Sequence, residues 1–128
     1  MVLRPEQFTE QAQEVLHNSQ ELVRRYRHSQ WDVEHVLLAL LELEKGLPSD
    51  ILAELGVPAD RLKARLHEAL EAGPKVSYES NQIYATPRAA TLLDNAKRES
   101  ERLKDEYIGA EHLFIASTME TKATRPRC

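Results

Sequence analysis

Cysteine is almost missing from this chain: the one copy, Cys128, is the last residue. No internal disulfide can form, which excludes a small extracellular scaffold stapled by cystines. Four glycines and 5% aromatic residues are too few for a turn-rich β-sandwich. No apolar run approaches the roughly 20 residues needed to cross a bilayer, and the N-terminus lacks the apolar stretch of a secretory signal. A cytoplasmic protein with no membrane association is expected. Net positive charge is also lacking: the balance is −4, so no overall basic field draws in nucleic acid.

Catalytic signatures are missing too. There is no Gly-x-x-x-x-Gly-Lys-Ser/Thr phosphate loop, no Gly-x-Ser-x-Gly elbow and no His-Glu-x-x-His metal pair. The chain is therefore expected to be no enzyme by itself, with no metal and no cofactor.

What is present is a helical composition, 41% hydrophobic and 30% charged over 128 residues, the size of one domain with a real core. The basic run Arg24, Arg25, Arg27 and His28 closes the first long helix, where cations complement the dipole. The chain also repeats itself. Residues 9–39 and 86–116 align without a gap at one constant offset, the 77 positions from Thr9 to Thr86. Thr9/Thr86, Ala12/Ala89, Leu16/Leu93, Asn18/Asn95, Arg25/Arg102, Glu34/Glu111, His35/His112 and Ala39/Ala116 are identical pairs. Trp31/Ile108, Val36/Leu113 and Leu37/Phe114 keep their apolar character. A fixed period of this kind marks a duplicated supersecondary unit, and the expected fold is all-α, two pseudo-symmetric helical repeats with the second one truncated.

Periodicity supplies the elements. Thr9 is a good N-cap, followed by an apolar stripe at three-four spacing through Ala12, Val15, Leu16, Leu22, Val23 and Tyr26. Asp32 can cap a second helix whose residues 33–43 are apolar almost all round, so it should lie at the centre of its repeat and end at Gly46. Pro48 and Ser49 start a short third helix closed by Gly56, and Pro58 to Asp60 open a fourth that Gly73-Pro74 stops. Residues 8–72 thus form repeat one, with four helices. Residues 73–85 form a linker whose Val76, Tyr78, Ile83 and Tyr84 suit a strap packed on the surface. Residues 86–119 form repeat two, with two helices entered at Thr86-Pro87, and 120–128 a polar, disordered tail.

Two segments carry a family likeness. Phe8-Thr9-Glu10-Gln11-Ala12 with Trp31-Asp32-Val33-Glu34-His35-Val36-Leu37-Leu38, and Thr86-Pro87-Arg88-Ala89 with Tyr107-Ile108-Gly109-Ala110-Glu111-His112-Leu113-Phe114, resemble the amino-terminal domain of the Clp family of AAA+ unfoldases, of ClpC-like or ClpB-like type. The likeness extends from about Leu3 to Ser117. It implies a domain that binds unfolded or tagged substrates or adaptor proteins and delivers them to the AAA+ ring of its parent protein. In the ClpC-like branch it also implies recognition of phosphorylated arginine through the cap Thr and the Glu of each repeat, here Thr9 with Glu34 and Thr86 with Glu111. A carboxylate suits a guanidinium, and a capped helix N-terminus suits a phosphate. Arg88 is in the candidate set as well. Two departures count against the carry-over: Gln11 stands where the second repeat has Arg88, and Asp32-Val33 replaces the family's Gly-Thr, which Gly109-Ala110 half keeps.

Histidines invite other readings. Neighbouring Glu and His point about 100° apart on a helix, so His35 and His112 are expected to be buried, hydrogen-bonded and structural, whereas His17, His28 and His67 are expected at the surface. An alternative function is a free-standing regulatory protein that self-associates or binds a Clp partner. Its ground is the missing helices, which would leave Leu113, Phe114 and Met119 uncovered and favour a homodimer. A helix-turn-helix DNA binder is disfavoured by the acidic balance.

Overall fold

Each repeat opens on the same local chemistry. In this computed structural model, which describes residues 4–43, 47–56, 58–73, 75–76 and 83–123, Thr9 and Thr86 both take extended backbone angles. Their hydroxyls accept from the amides of Ala12 and Ala89, each at 3.1 Å. These caps start α1 (Glu10–Arg25) and α5 (Pro87–Arg102) and satisfy amides that helix geometry leaves orphaned.

Both helices also end alike. Arg27 and Lys104, equivalent under the repeat, adopt left-handed angles (φ 57° and 60°) without being glycine. The amide after each reaches back to the last turn, His28 N–H to Val23 O and Asp105 N–H to Ser100 O, both at 2.8 Å. That is the Schellman closure, and the left-handed residue costs about 1 kcal/mol in each copy. The duplication therefore extends to single backbone dihedrals.

Two-residue strands follow: β1 (Gln30–Trp31) and β2 (Tyr84–Ala85). α2 (Val33–Leu41) is buried on nearly every side, as its composition requires, and contacts α1, α4 and α6. α3 (Leu47–Glu54), α4 (Ala59–Ala72) and α6 (Ala110–Ala123) complete the bundle. Gly56 closes α3 at φ +71°, a conformation that suits glycine. Among the described residues no helix is long and apolar enough to cross a membrane.

Several expectations need correction. Leu113 and Phe114 are buried, because α3 and α2 of the first repeat pack on α6 together with α5. The side chain of Met119 lies outside the described residues, as do Gly46, Pro74, Tyr78 and residues 124–128. α2 ends at Leu41, before Gly46. α6 continues to Ala123, four residues into the stretch expected as a tail. The linker's described ends are tied down: Val76 N–H donates to Arg27 O at 2.7 Å and Tyr84 N–H to Ser29 O at 3.2 Å.

Candidate functional site

The short strands decide which residues meet. β1 and β2 are parallel, with Gln30 opposite Tyr84 and Trp31 opposite Ala85. Phe8 and Ile108 form the equivalent bridge at the other entrance. The segment leading into the first helix of each repeat therefore pairs with the segment leading into the second helix of the other. The expected pairs, Thr9 with Glu34 and Thr86 with Glu111, assumed contacts within repeats; the contacts run between them. The Thr86 hydroxyl donates to Asp32 Oδ1 at 2.8 Å, and Thr9 N–H donates to Ile108 O at 2.9 Å, just before Glu111's helix.

At the first entrance four polar side chains converge. Arg88 holds Asp32 Oδ2 through Nη1 at 3.4 Å and Glu34 Oε1 through Nη2 at 3.1 Å. Asp32 Oδ1 meanwhile accepts from Val33 N–H at 2.8 Å. The three charged side chains are 25–31% exposed, partly shielded from solvent. They form one wall of a cleft of about 310 Å³ that also touches His28, His35, Leu70 and Gly73.

A chain of two imidazoles also lines the cleft. His35 Nδ1 accepts from Asp32 N–H at 3.0 Å, as the return bond of a capping box. Its proton must then sit on Nε2, which faces His28 Nδ1 at 2.9 Å; His28 Nε2–H in turn donates to Leu70 O at 2.8 Å. Burial, reinforced by the neighbouring His28, holds the His35 pKa down to about 4 against a weaker opposing pull from Asp32.

The second entrance is built differently. His112 again caps its own helix, accepting from Gly109 N–H at 2.8 Å, but its other nitrogen meets the Asp105 carboxylate at 2.8 Å. Asp105 occupies His28's position in the repeat. A Cβ on Gly109 would collide with the Glu111 carboxylate, which lies back over that residue. The Glu111 carboxylate is 3.7 Å from His112 Nδ1.

Glu34, Thr86 and Arg88 are thus brought together, while Thr9 and Glu111 belong to the other entrance. His35 and His112 are buried structural histidines, as expected. His28 and His67 are not free surface residues: His28 is in the relay, and His67 Nδ1 meets the Tyr26 hydroxyl. Sequence reasoning treated Asp32 as a cap and overlooked it as a site residue. The repeat offset held the clue, since it sets Asp32 against Gly109 and His28 against Asp105.

Comparison with known proteins shows the family. The family described as the Clp repeat (R) N-terminal domain matches residues 7–125. The chaperone protein ClpB 2 of Nostoc sp. is 38% identical over 112 residues, covering 88% of this chain and 13% of that protein. The N-terminal domain of Hsp104 from Candida albicans superposes with a TM-score of 0.80 at 19% identity, covering 91% of this chain and 80% of that one. The N-terminal domain of the ClpV1 ATPase from E. coli gives 0.81 at 21% identity, covering 94% and 72%. The chain belongs to the family of Clp repeat N-terminal domains. It spans only about an eighth of the length of the curated relatives it matches.

Proposed function

We propose that this domain docks substrate or adaptor proteins for a Clp-type ATPase, and that the cleft lined by Asp32, Glu34 and Arg88 reads a charged side chain of the docked protein. The observation that carries the reading is the convergence of a guanidinium from the second repeat and two carboxylates from the first on one cleft, with the Thr86 cap held against Asp32 beside it. Such a cleft offers a carboxylate seat to a cation, and the Arg88 guanidinium beside the positive end of α5 to an anion. Phosphorylated arginine has both groups on one side chain and is the ligand class proposed. Glu34 would hold the guanidinium, with Thr86 and Arg88 on the phosphoryl side. Thr9 and Glu111 frame a second, weaker candidate at the other entrance.

Titration with a fluorescent peptide bearing one phosphoarginine tests this reading. Saturable binding that falls at least about tenfold in Glu34→Gln supports it. No saturable binding, or binding indifferent to Glu34→Gln, overturns it. The alternative of a self-associating regulatory protein loses two of the three residues it rested on, since Leu113 and Phe114 are buried.

A further inference from the structure

We propose that Arg88 is an internal occupant of the cleft's guanidinium seat, and that it thereby selects arginine carrying its own anion over plain arginine. The inference deepens the docking role proposed above and rests on it.

The seat consists of Glu34 Oε1 and Asp32 Oδ2. The other oxygen of Asp32 is already committed to the Thr86 hydroxyl and Val33 N–H, each at 2.8 Å. Asp32 Oδ2 and Glu34 Oε1 each take one terminal nitrogen of Arg88, so a single planar fork spans both carboxylates. Arg88 is the second residue of α5, after Pro87 and the Thr86 cap, so its backbone is anchored and only its side chain needs to move.

A plain arginine entering the cleft would need the same two acceptors. Displacing Arg88 exchanges one guanidinium for another, with no gain in paired charge. It also takes Arg88 from two anions at a site where the side chain is only 31% exposed. The exchange is close to futile, and the seat stays with its own arginine.

An arginine phosphorylated on its guanidinium changes the balance. Its guanidinium takes the carboxylates, while its phosphoryl oxygens offer the displaced Arg88 a new bidentate partner. The displaced Arg88 is then paired again. Arg88 is a specificity-determining residue in this account: it competes with the wrong ligand and assists the right one.

The duplication supplies a contrast within the molecule. The position equivalent to Arg88 in repeat one is Gln11, and the Glu111 carboxylate lies over Gly109. By position, Gln11 stands at the second entrance where Arg88 stands at the first.

The test uses the full chain, Arg88→Gln, and two probes, N-acetyl-arginine amide and its guanidino-phosphorylated counterpart, with calorimetric titration. Arg88→Gln should bind the plain arginine probe about tenfold or more tightly than the parent does, and the preference for the phosphorylated probe should shrink. Equal or weaker binding of plain arginine by Arg88→Gln overturns the inference. Failure of the parent to bind the phosphorylated probe sinks the docking reading instead, and the two results are read separately. Should Arg88→Gln fail to fold, Arg88→Lys keeps the charge but cannot span both acids. It should still gain severalfold for plain arginine, and no gain overturns the inference.

Discussion

The Thr86 hydroxyl donates to Asp32 Oδ1 at 2.8 Å while accepting from the Ala89 amide at 3.1 Å, so one oxygen both caps α5 and clasps it to the entrance of α2. Thr86→Ala should lose both, costing about 2 kcal/mol against about 1 for Thr9→Ala, whose hydroxyl caps α1. Thr86→Ser should recover most of the loss. Urea unfolding midpoints measure all three, and equal costs for the two alanine variants would contradict the clasp.

Acid should weaken the fold through His35. Its pKa falls from about 6.5 in the unfolded chain to about 4 in the native state. Between those values the unfolded chain binds more protons, so the native state is favoured as pH rises. The full contribution is present above pH 6.5 and is lost as pH drops toward 4, on the order of 3 kcal/mol in all. Protonating His35 would put a proton on Nδ1, against the Asp32 N–H that it now accepts from. Unfolding free energies at pH 7.5 and 4.5 should differ less in His35→Gln than in the parent; identical differences would refute this cause.

Ser19 holds the ring of the chain's one tryptophan. Its hydroxyl accepts from Trp31 Nε1–H at 2.8 Å and donates to Leu16 O at 2.7 Å, with both side chains buried. Ser19→Ala orphans a buried donor and should cost about 1–3 kcal/mol. The same variant should shift the Trp31 fluorescence, and an unchanged spectrum and unfolding midpoint would show that another acceptor takes over.

Gly109 makes room for the Glu111 carboxylate. Gly109→Ala should cost about 0.5–1 kcal/mol, partly from the poorer cap and partly from displacing that carboxylate. In a Glu111→Ala background the second part vanishes. A double-mutant cycle should therefore show coupling, and additivity within about 0.3 kcal/mol would exclude the collision.

The helix entrances were legible because capping is local: Thr9, Asp32 and Thr86 each act within three residues of themselves. The repeat was legible because no insertion interrupts residues 9–39 against 86–116. Strand exchange was not. Gln30–Trp31 and Tyr84–Ala85 are too short to show a period-two pattern, and their pairing spans distant parts of the chain. The same gap hid the contact of Thr86 with Asp32 in place of Glu111. His28 seemed solitary because its partners, His35 and Leu70, come from separate helices. The burial of Leu113 and Phe114 was missed because the coverage comes from the opposite repeat.

The crossed entrances also bear on how the chain is made. Phe8 cannot meet Ile108 until Ile108 has left the ribosome, about a hundred residues later. Synthesis at about 5–20 residues per second leaves the first copy waiting seconds for its mate. Each repeat thus has a helix entrance that only the other one completes.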